Sequence, residues 1–118
     1  MKKLFLFFIV SLSFVLLANK ANAQNYDDKK FIQFVFSNLE TREQAVEIDQ
    51  FIRVQEGVFI SRSDVVSKKY LIIYYTDSSI NLAQLTTWMD ELGMEFKCTR
   101  EGVHTVDKII DQNINCDH

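Results

Sequence analysis

The order of its apolar segments is the feature that most limits what this chain can fold into. Four short segments, 31–37, 58–66, 70–76 and 94–99, are rich in aromatic and β-branched residues, as is typical of strands. Between the first and second of them, and again between the third and fourth, apolar residues recur at helical spacing. The sequence therefore predicts one domain with the element order β-α-β-β-α-β.

Local signals mark the ends of both predicted helices. Thr41 followed by Gln44 forms a capping box, in which the hydroxyl accepts from a free helix N–H and the amide reaches back. Gly57 is where the first helix is expected to have ended. Asn81 is a good N-cap for the second helix, and Gly93 suits the left-handed residue that follows a helix.

With right-handed crossovers, this order folds as an α+β, ferredoxin-like sandwich. Its four-stranded antiparallel sheet carries both helices on one face. Alternation along the strands predicts that six residues face the helices: Ile32, Phe34, Phe36, Leu71, Ile73 and Tyr75. The opposite face is then expected to present a different set: Phe31, Val35, Tyr70, Ile72 and Tyr74.

That second set would form an apolar patch too large for a monomer to leave bare. One candidate cover is the C-terminal tail, residues 100–118, in which four positions recur at helical spacing: Val103, Val106, Ile109 or Ile110, and Ile114. The favoured prediction is an extra C-terminal helix lying on this face. The alternatives are a frayed extension, or a partner protein or second copy bound to the face.

The N-terminal residues have the pattern of an export signal. Lys2 and Lys3 precede an apolar run over 4–17, and Ala21-Asn22-Ala23 supplies a signal-peptidase site. The run is shorter than the roughly 20 apolar residues that span a bilayer. We therefore expect residues 1–23 to be removed, leaving no stable membrane anchor and a periplasmic or secreted protein. Residues 24–30 are polar and are expected to be flexible.

The charge balance argues against one class of partner. Removing residues 1–23 takes three of the 13 basic residues and none of the 16 acidic ones, which leaves a net charge near −6. Nucleic-acid binding requires a basic surface, so no nucleic-acid partner is expected.

With this element order, the chain resembles the heavy-metal-associated domains, which are small copper and zinc carrier modules of metallochaperones and transport ATPases. The resemblance covers about residues 31–98. It depends on Gly57-Val58 after the first helix, on Tyr75 near the end of the third strand, and on LAQLTTWMDELGM around the second helix. It implies a carrier fold with a metal loop between the first strand and the first helix.

The family's loop reads Gly-Met-x-Cys-x-x-Cys, and this chain departs from it. Counting back from Gly57-Val58, Asn38 and Leu39 fall where Gly-Met would be, and Thr41 and Gln44 fall at the two metal thiolates. Cu(I) prefers thiolates, and a structural zinc site needs cysteine or histidine. The resemblance therefore implies a kept fold and a degenerate metal loop.

Three readings of Cys98 and Cys116 stay open. An exported protein with an even cysteine count can join them in a disulfide. Strand alternation instead places Cys98 on the helix side, as a buried free thiol beside a second free thiol. The third reading is a metal site that uses Cys98, Cys116 and His118, with His104 as a further ligand.

No enzymatic motif stands out. The chain has no paired-cysteine redox motif, no glycine-rich phosphate loop and no Ser-His-acid spacing. The sequence therefore predicts an exported, non-enzymatic binding or scaffold module without a cofactor. It would meet an unknown protein partner, or itself, through the sheet face opposite the helices. The alternative is a copper- or zinc-binding protein with C-terminal ligands.

Overall fold

The computed structural model describes residues 28–117 of the 118-residue chain. The predicted signal peptide and the first part of the predicted flexible segment lie outside the described residues. Within residues 28–117, none of the helices is long and apolar enough to cross a membrane.

The described residues form four strands and two helices in the predicted order. In chain order they are β1 (Lys29–Phe36), α1 (Arg42–Arg53), β2 (Val58–Ser63), β3 (Lys69–Tyr75), α2 (Leu82–Glu91) and β4 (Phe96–Val103). The strands form one antiparallel sheet in the order β2-β3-β1-β4. This arrangement confirms the ferredoxin-like prediction.

Several strand boundaries differ from the prediction: β2 ends at Ser63 and not at residue 66, β4 begins at Phe96 and not at residue 94, and two strands are extended at one end. β1 begins at Lys29, so the last residues of the predicted flexible segment are already in the sheet. β4 continues to Val103, four residues beyond its predicted end. Both extensions come from pairing, because Lys30 of β1 lies opposite Val103 of β4.

The predicted helix ends are confirmed. Thr41 and Gln44 form the capping box of α1, and the Asn81 side chain accepts from the Gln84 N–H at 2.8 Å to cap α2. Gly57 and Gly93 adopt positive φ angles of 94° and 73°. A side chain at Gly57 would also collide with Ser78. Both the positive φ angle and the lack of space therefore require glycine in this turn.

The residues that pack against the helices are only partly the predicted ones. Ile32, Phe34 and Phe36 of β1 lie in the core as expected. On β3 the prediction is wrong: Tyr70, Ile72 and Tyr74 join that core, whereas Leu71, Ile73 and Tyr75 lie on the opposite face. The pairing register decides this, since Ile72 lies opposite Ile32 and Tyr70 opposite Phe34. A one-residue error in register moves every side chain of a strand to the other face.

Tyr70 is compatible with the core because its hydroxyl has a partner there. It lies 2.7 Å from the Ser61 hydroxyl, which donates to a carboxylate oxygen of Asp49 on α1. Burial raises the pKa of the Tyr70 phenol well above its usual range. The pair Phe34 and Tyr70 stacks at 4.8 Å between ring centroids.

Helix α1 also covers the free edge of β2. Asp49 accepts from the Ser63 N–H at 3.1 Å, and the Arg53 guanidinium donates to the Ser61 carbonyl at 2.8 and 3.0 Å. These contacts occupy backbone groups that an edge strand would otherwise offer to another chain. Pairing of a second strand onto this part of β2 is therefore blocked.

Candidate functional site

The loop over residues 38–44 lies where the family resemblance places a metal site. Its first residue, Asn38, joins the loop to the segment that follows α2. The Asn38 amide nitrogen donates to the Gly93 carbonyl at 3.0 Å, and its amide oxygen accepts from the Glu95 N–H at 2.8 Å. Leu39 is fully buried in the core. The ammonium of Lys68 donates to the Leu39 carbonyl. The loop is thus held by the two neighbouring turns of the chain.

The other two positions of the loop bond each other. The Gln44 N–H donates to the Thr41 hydroxyl at 3.1 Å, and the Gln44 amide oxygen accepts from the N–H groups of Thr41 and Glu40 at 3.0 and 2.8 Å. Three backbone donors at the start of α1 are satisfied in this way. A hydroxyl and an amide are poor ligands for a soft metal, and here both are already engaged by the backbone.

Cys98 and Cys116 are joined in a disulfide, with their Cα atoms 5.3 Å apart. The expected position of Cys98 on the helix side does not hold. β4 has an irregularity opposite Phe34, because Val35 pairs with Lys97 but Gln33 pairs with Arg100. Two residues of β4, Cys98 and Thr99, therefore lie opposite one residue of β1, and Cys98 has a φ of 64°. Such a bulge changes the direction of the side chain, here toward the tail.

In the disulfide neither sulfur is a thiolate, so neither can serve as a metal ligand in this state. His104 follows the last residue of β4, far along the strand from Cys98. His118 lies outside the described residues. Among residues 28–117, no group of three or more histidine, cysteine, aspartate or glutamate side chains is placed to hold a metal ion.

The tail crosses the open face of the sheet, the face opposite the helices, but the predicted helix is absent. Because β4 extends to Val103, the tail in the described structure is residues 104–117, which form turns and irregular chain. The tail's backbone is held by Gln33, whose amide accepts from the Ile110 N–H at 2.9 Å and donates to the Ile110 carbonyl at 2.6 Å. Arg100 donates to Gln33 Oε1 at 2.7 Å and to the Lys108 carbonyl at 3.1 Å. Polar side chains of the sheet therefore fix the tail.

The apolar positions that predicted a helix do not form its buried face. Val106 is 76 % exposed, and Val103, Ile109 and Ile114 are each about 40 % exposed, whereas Ile110 is half-buried. Sheet residues beneath the tail are nevertheless buried. The Phe31 ring lies against Gly102, where a Cβ would come within 2.7 Å of two ring atoms and 2.8 Å of Asp107 Cβ.

Of the five residues predicted as an interface, two lie where expected. Phe31 and Val35 are on the open face, and both are completely buried there. Tyr70, Ile72 and Tyr74 are in the core beneath the helices and cannot contact a partner on the open face. The exposed part of that face instead includes Phe59, whose ring meets Tyr75 edge-on at 5.9 Å.

A cleft runs between the tail and the turn that joins β2 to β3. One part, of about 540 Å³, is lined by Lys69 and by tail residues that include Asp111, Gln112 and Asp117. An adjoining part of about 350 Å³ is lined by Arg62, Leu71 and Ile109. The Lys69–Asp111 ion pair lies where the two parts meet. Gln112 is 7 % exposed, and its buried Oε1 atom has no hydrogen-bond partner.

The residues that organise this face were not predicted from the sequence. Gln33 carried one usable signal, because it is the single polar residue inside the apolar stretch FIQFVF. A buried amide at such a position needs a partner. Arg100, Lys69 and Gln112 carried no comparable signal, since each is an ordinary polar residue in a polar stretch.

Comparison with solved structures agrees with this architecture. The fold is similar to that of the CsoZ metallochaperone, with a TM-score of 0.52 and 17 % sequence identity over 58 % of this chain and 97 % of that one. It is also similar to the N-terminal domain of a potential copper-translocating P-type ATPase from Bacillus subtilis in the Cu(I)-loaded state. There the TM-score is 0.53 and the identity 17 %, over 58 % of this chain and 85 % of that one.

No family model and no curated protein matches the sequence. At 17 % identity, the likeness to the two solved structures shows the fold alone. The chain therefore has a ferredoxin-like fold that is similar to the folds of these two proteins.

Proposed function

We propose that this protein is an exported, non-enzymatic binding module on a heavy-metal-associated type of fold whose metal loop has degenerated. The observation that carries the proposal is the capping box at Thr41 and Gln44. The side chains at the two thiolate positions hydrogen-bond the backbone of their own helix end. They therefore stabilise the fold where the family resemblance would place a bound metal.

The rest of the loop supports the same reading. Asn38 bridges to the chain that follows α2, and Lys68 holds the Leu39 carbonyl. A carrier loop must admit a metal and release it to a partner. This loop is held to neighbouring segments by side-chain hydrogen bonds, and all of these bonds would have to break before a metal could enter. We therefore propose no metal cofactor for it.

The absence of a catalytic role is also part of the proposal. Arg42, at the start of α1, is an arginine that could contact a phosphate. It is exposed, and the loop before it has no glycine-rich segment that could hold a phosphate. What the fold offers instead is surface. The open face, with its tail and cleft, is where a protein partner or a second copy would bind. Export, to the periplasm or beyond the cell, follows from the predicted signal peptide.

The alternative is a copper or zinc site at Cys98 and Cys116 with His104 or His118. It requires the disulfide to be reduced first, because a disulfide sulfur is not a thiolate ligand. No observation on the described residues favours it over the binding module.

A Cu(I) titration tests the proposal. The mature chain, residues 24–118, is titrated under nitrogen against a chromophoric Cu(I) chelator. This is done in oxidised form, in reduced form, and as the variant Cys98→Ser/Cys116→Ser. We expect none of the three to compete with the chelator. Adding Thr41→Cys and Gln44→Cys to the serine variant should create tight binding of one Cu(I) ion, because the scaffold is in place.

The matched control is Thr41→Ser with Gln44→Asn, which keeps the chemistry of the loop and should gain nothing. Tight Cu(I) binding by the oxidised wild type would refute the degenerate-loop proposal. Binding by the reduced wild type that Cys116→Ser abolishes would favour the C-terminal metal site. No gain with the added cysteine pair would mean that Thr41 and Gln44 are not the thiolate positions.

A further inference from the structure

The tail is held on the open face through its backbone. Gln33 bonds both the N–H and the carbonyl of Ile110, and Arg100 bonds the carbonyl of Lys108. Two tail side chains add to these contacts, since Asp111 pairs with Lys69 and Asp107 accepts from the Val103 N–H at the end of β4 at 2.7 Å. Contacts of this kind select an extended chain with a carboxylate at one position, and they place few other demands on its sequence.

Side chains of the tail gain little from lying there. Val106, Ile109 and Ile114 remain substantially exposed, although the sheet residues Phe31 and Val35 beneath the tail are fully buried. Of the tail's own apolar residues, Ile110 alone is half-buried, so the tail covers an apolar surface while burying little apolar side chain of its own. A chain segment with better-placed apolar side chains would bury more surface in the same position.

The docked tail also carries features that work against it. Gln112 is buried, and its Oε1 atom accepts no hydrogen bond from another residue of the described part of the chain. Thr105 and Cys116 have φ angles of 70° and 67°, a conformation that residues other than glycine rarely adopt. Ordering the tail further costs backbone entropy at each residue. The disulfide to Cys98 is the one covalent link that offsets these terms.

We propose that the tail is a built-in occupant of a peptide-binding surface, which a partner's extended acidic segment takes over when the Cys98–Cys116 disulfide is reduced. This inference rests on the proposed binding-module function and names its surface and its partner class. Cys116 is exposed to solvent, so an external thiol can reach the disulfide.

A dithiol reductant opens the disulfide in two exchange steps. One thiolate attacks Sγ of Cys116, the bond between the two cysteine sulfurs breaks, and Cys98 leaves as a thiolate that takes a proton from solvent. The second thiol of the reductant then attacks the mixed disulfide. The reductant closes into a cyclic disulfide and Cys116 is released as a thiol. Two electrons have passed from the dithiol to the protein.

The chemistry of the partner follows from what the tail would leave behind. Lys69 would lose its carboxylate, and the Gln33 amide and Arg100 would lose backbone partners. Arg62 and Asp64 line the same cleft, so with Lys69 and Arg100 the vacated surface presents three cations and one carboxylate around an apolar floor. An extended segment with an apolar residue followed by an acidic one, as in Ile110-Asp111, fits this surface by charge and by backbone geometry.

The test uses the tail sequence itself as the probe. A fluorescein-labelled, end-blocked peptide of residues 107–113, DKIIDQN, is titrated with the mature full chain in oxidised form. It is titrated in parallel with the full-chain variant Cys98→Ser/Cys116→Ser/Ile110→Pro. Proline at 110 removes the N–H that Gln33 accepts, so the variant's own tail is a weak competitor while the sheet is unchanged.

Fluorescence anisotropy should show the peptide binding the triple variant at least tenfold more tightly than the oxidised wild type. A matched peptide carrying Asp111→Lys should bind at least tenfold more weakly. Adding Gln33→Leu to the receptor should abolish binding while circular dichroism stays unchanged. In the wild type, a dithiol should speed hydrogen exchange of the Ile110 amide.

Equal peptide affinity for the oxidised and the triple-variant chains would overturn the disulfide latch. Equal affinity for the two peptides would overturn the acidic-segment assignment. A dimer on reduction, seen by light scattering, would mean that a second copy exchanges tails and that a separate partner is not the occupant. Each of these results leaves the Cu(I) titration unaffected, so failure here is distinguishable from failure of the binding-module proposal.

Discussion

The two faces of the sheet are covered in different ways. On the helix face, Phe34 lies 4.8 Å from the Tyr70 ring and 4.1 Å from the Phe96 ring, and α1 and α2 complete an apolar core around them. On the open face, the cover is a single irregular segment fixed by Gln33, Arg100 and a disulfide. One cover is held by burial of its own side chains and the other by polar and covalent contacts.

The two faces therefore respond to different changes in conditions. Apolar packing is neither screened by ionic strength nor changed by reductant, and it is lost when the domain unfolds. A disulfide and an ion pair respond to reductant and to ionic strength while the domain stays folded. The helix face is therefore suited to maintaining the fold, and the open face is suited to a change of occupant.

The largest expected effect comes from the helix face. Phe34→Ala removes a fully buried ring at the centre of the aromatic cluster, and it should lower the free energy of unfolding by about 3–5 kcal/mol. Urea denaturation followed by circular dichroism measures the loss. Val46→Ala, at a 45 % exposed position on α1, is the control and should change stability by less than about 0.5 kcal/mol. A loss below about 1 kcal/mol for Phe34→Ala would mean that this face is not the main core.

The next effect concerns the open face. Replacing both cysteines, in Cys98→Ser/Cys116→Ser, frees a loop with a sequence separation of 18 and should cost about 3 kcal/mol. Hydrogen exchange should then accelerate in residues 104–117, while β1 and β3 remain protected up to the global unfolding free energy. Wild type treated with a dithiol is the matched comparison. Uniform acceleration across the sheet would show that the two faces are one cooperative unit.

The smallest effect is at the loop between β1 and α1. Thr41→Ala removes the cap of α1 and should lower the melting midpoint by an amount that corresponds to about 1 kcal/mol. Thr41→Ser keeps the hydroxyl and should retain most of the stability. Because the loop lies on the helix side of the sheet, hydrogen exchange in residues 104–117 should be unaffected. A midpoint that Thr41→Ala leaves unchanged would argue against a structural role for this loop.

Most of the fold was predictable, and the site was predictable only in part. The element order was predicted correctly because each element has its own local apolar pattern. The caps at Thr41 and Asn81 were predicted correctly because each depends on residues within one helical turn. The side of β3 that faces the helices was misassigned. An apolar strand such as YLIIYY has no polar alternation to mark its faces, and Tyr70 is acceptable in the core once Ser61 meets its hydroxyl.

The tail was misread for a related reason. Val103, Val106, Ile109 or Ile110, and Ile114 have helical spacing, but such spacing produces a helix only if a complementary apolar surface packs against those residues. The open face offers Gln33 and Arg100 at its centre, and these side chains bond an extended backbone. Nothing in the tail's own sequence carries that information.

The sequence by itself determined the segments, the helix ends and the lack of thiolates at the two loop positions, because these are properties of neighbouring residues. The tertiary structure alone decided the face of each β3 side chain, the bulge that turns Cys98 toward Cys116, and the path of the tail. Gln33 and Ile110 meet across 77 residues of sequence, and Asn38 meets Glu95 across 57. Contacts at such separations depend on strand register and sheet order, so no local pattern records them.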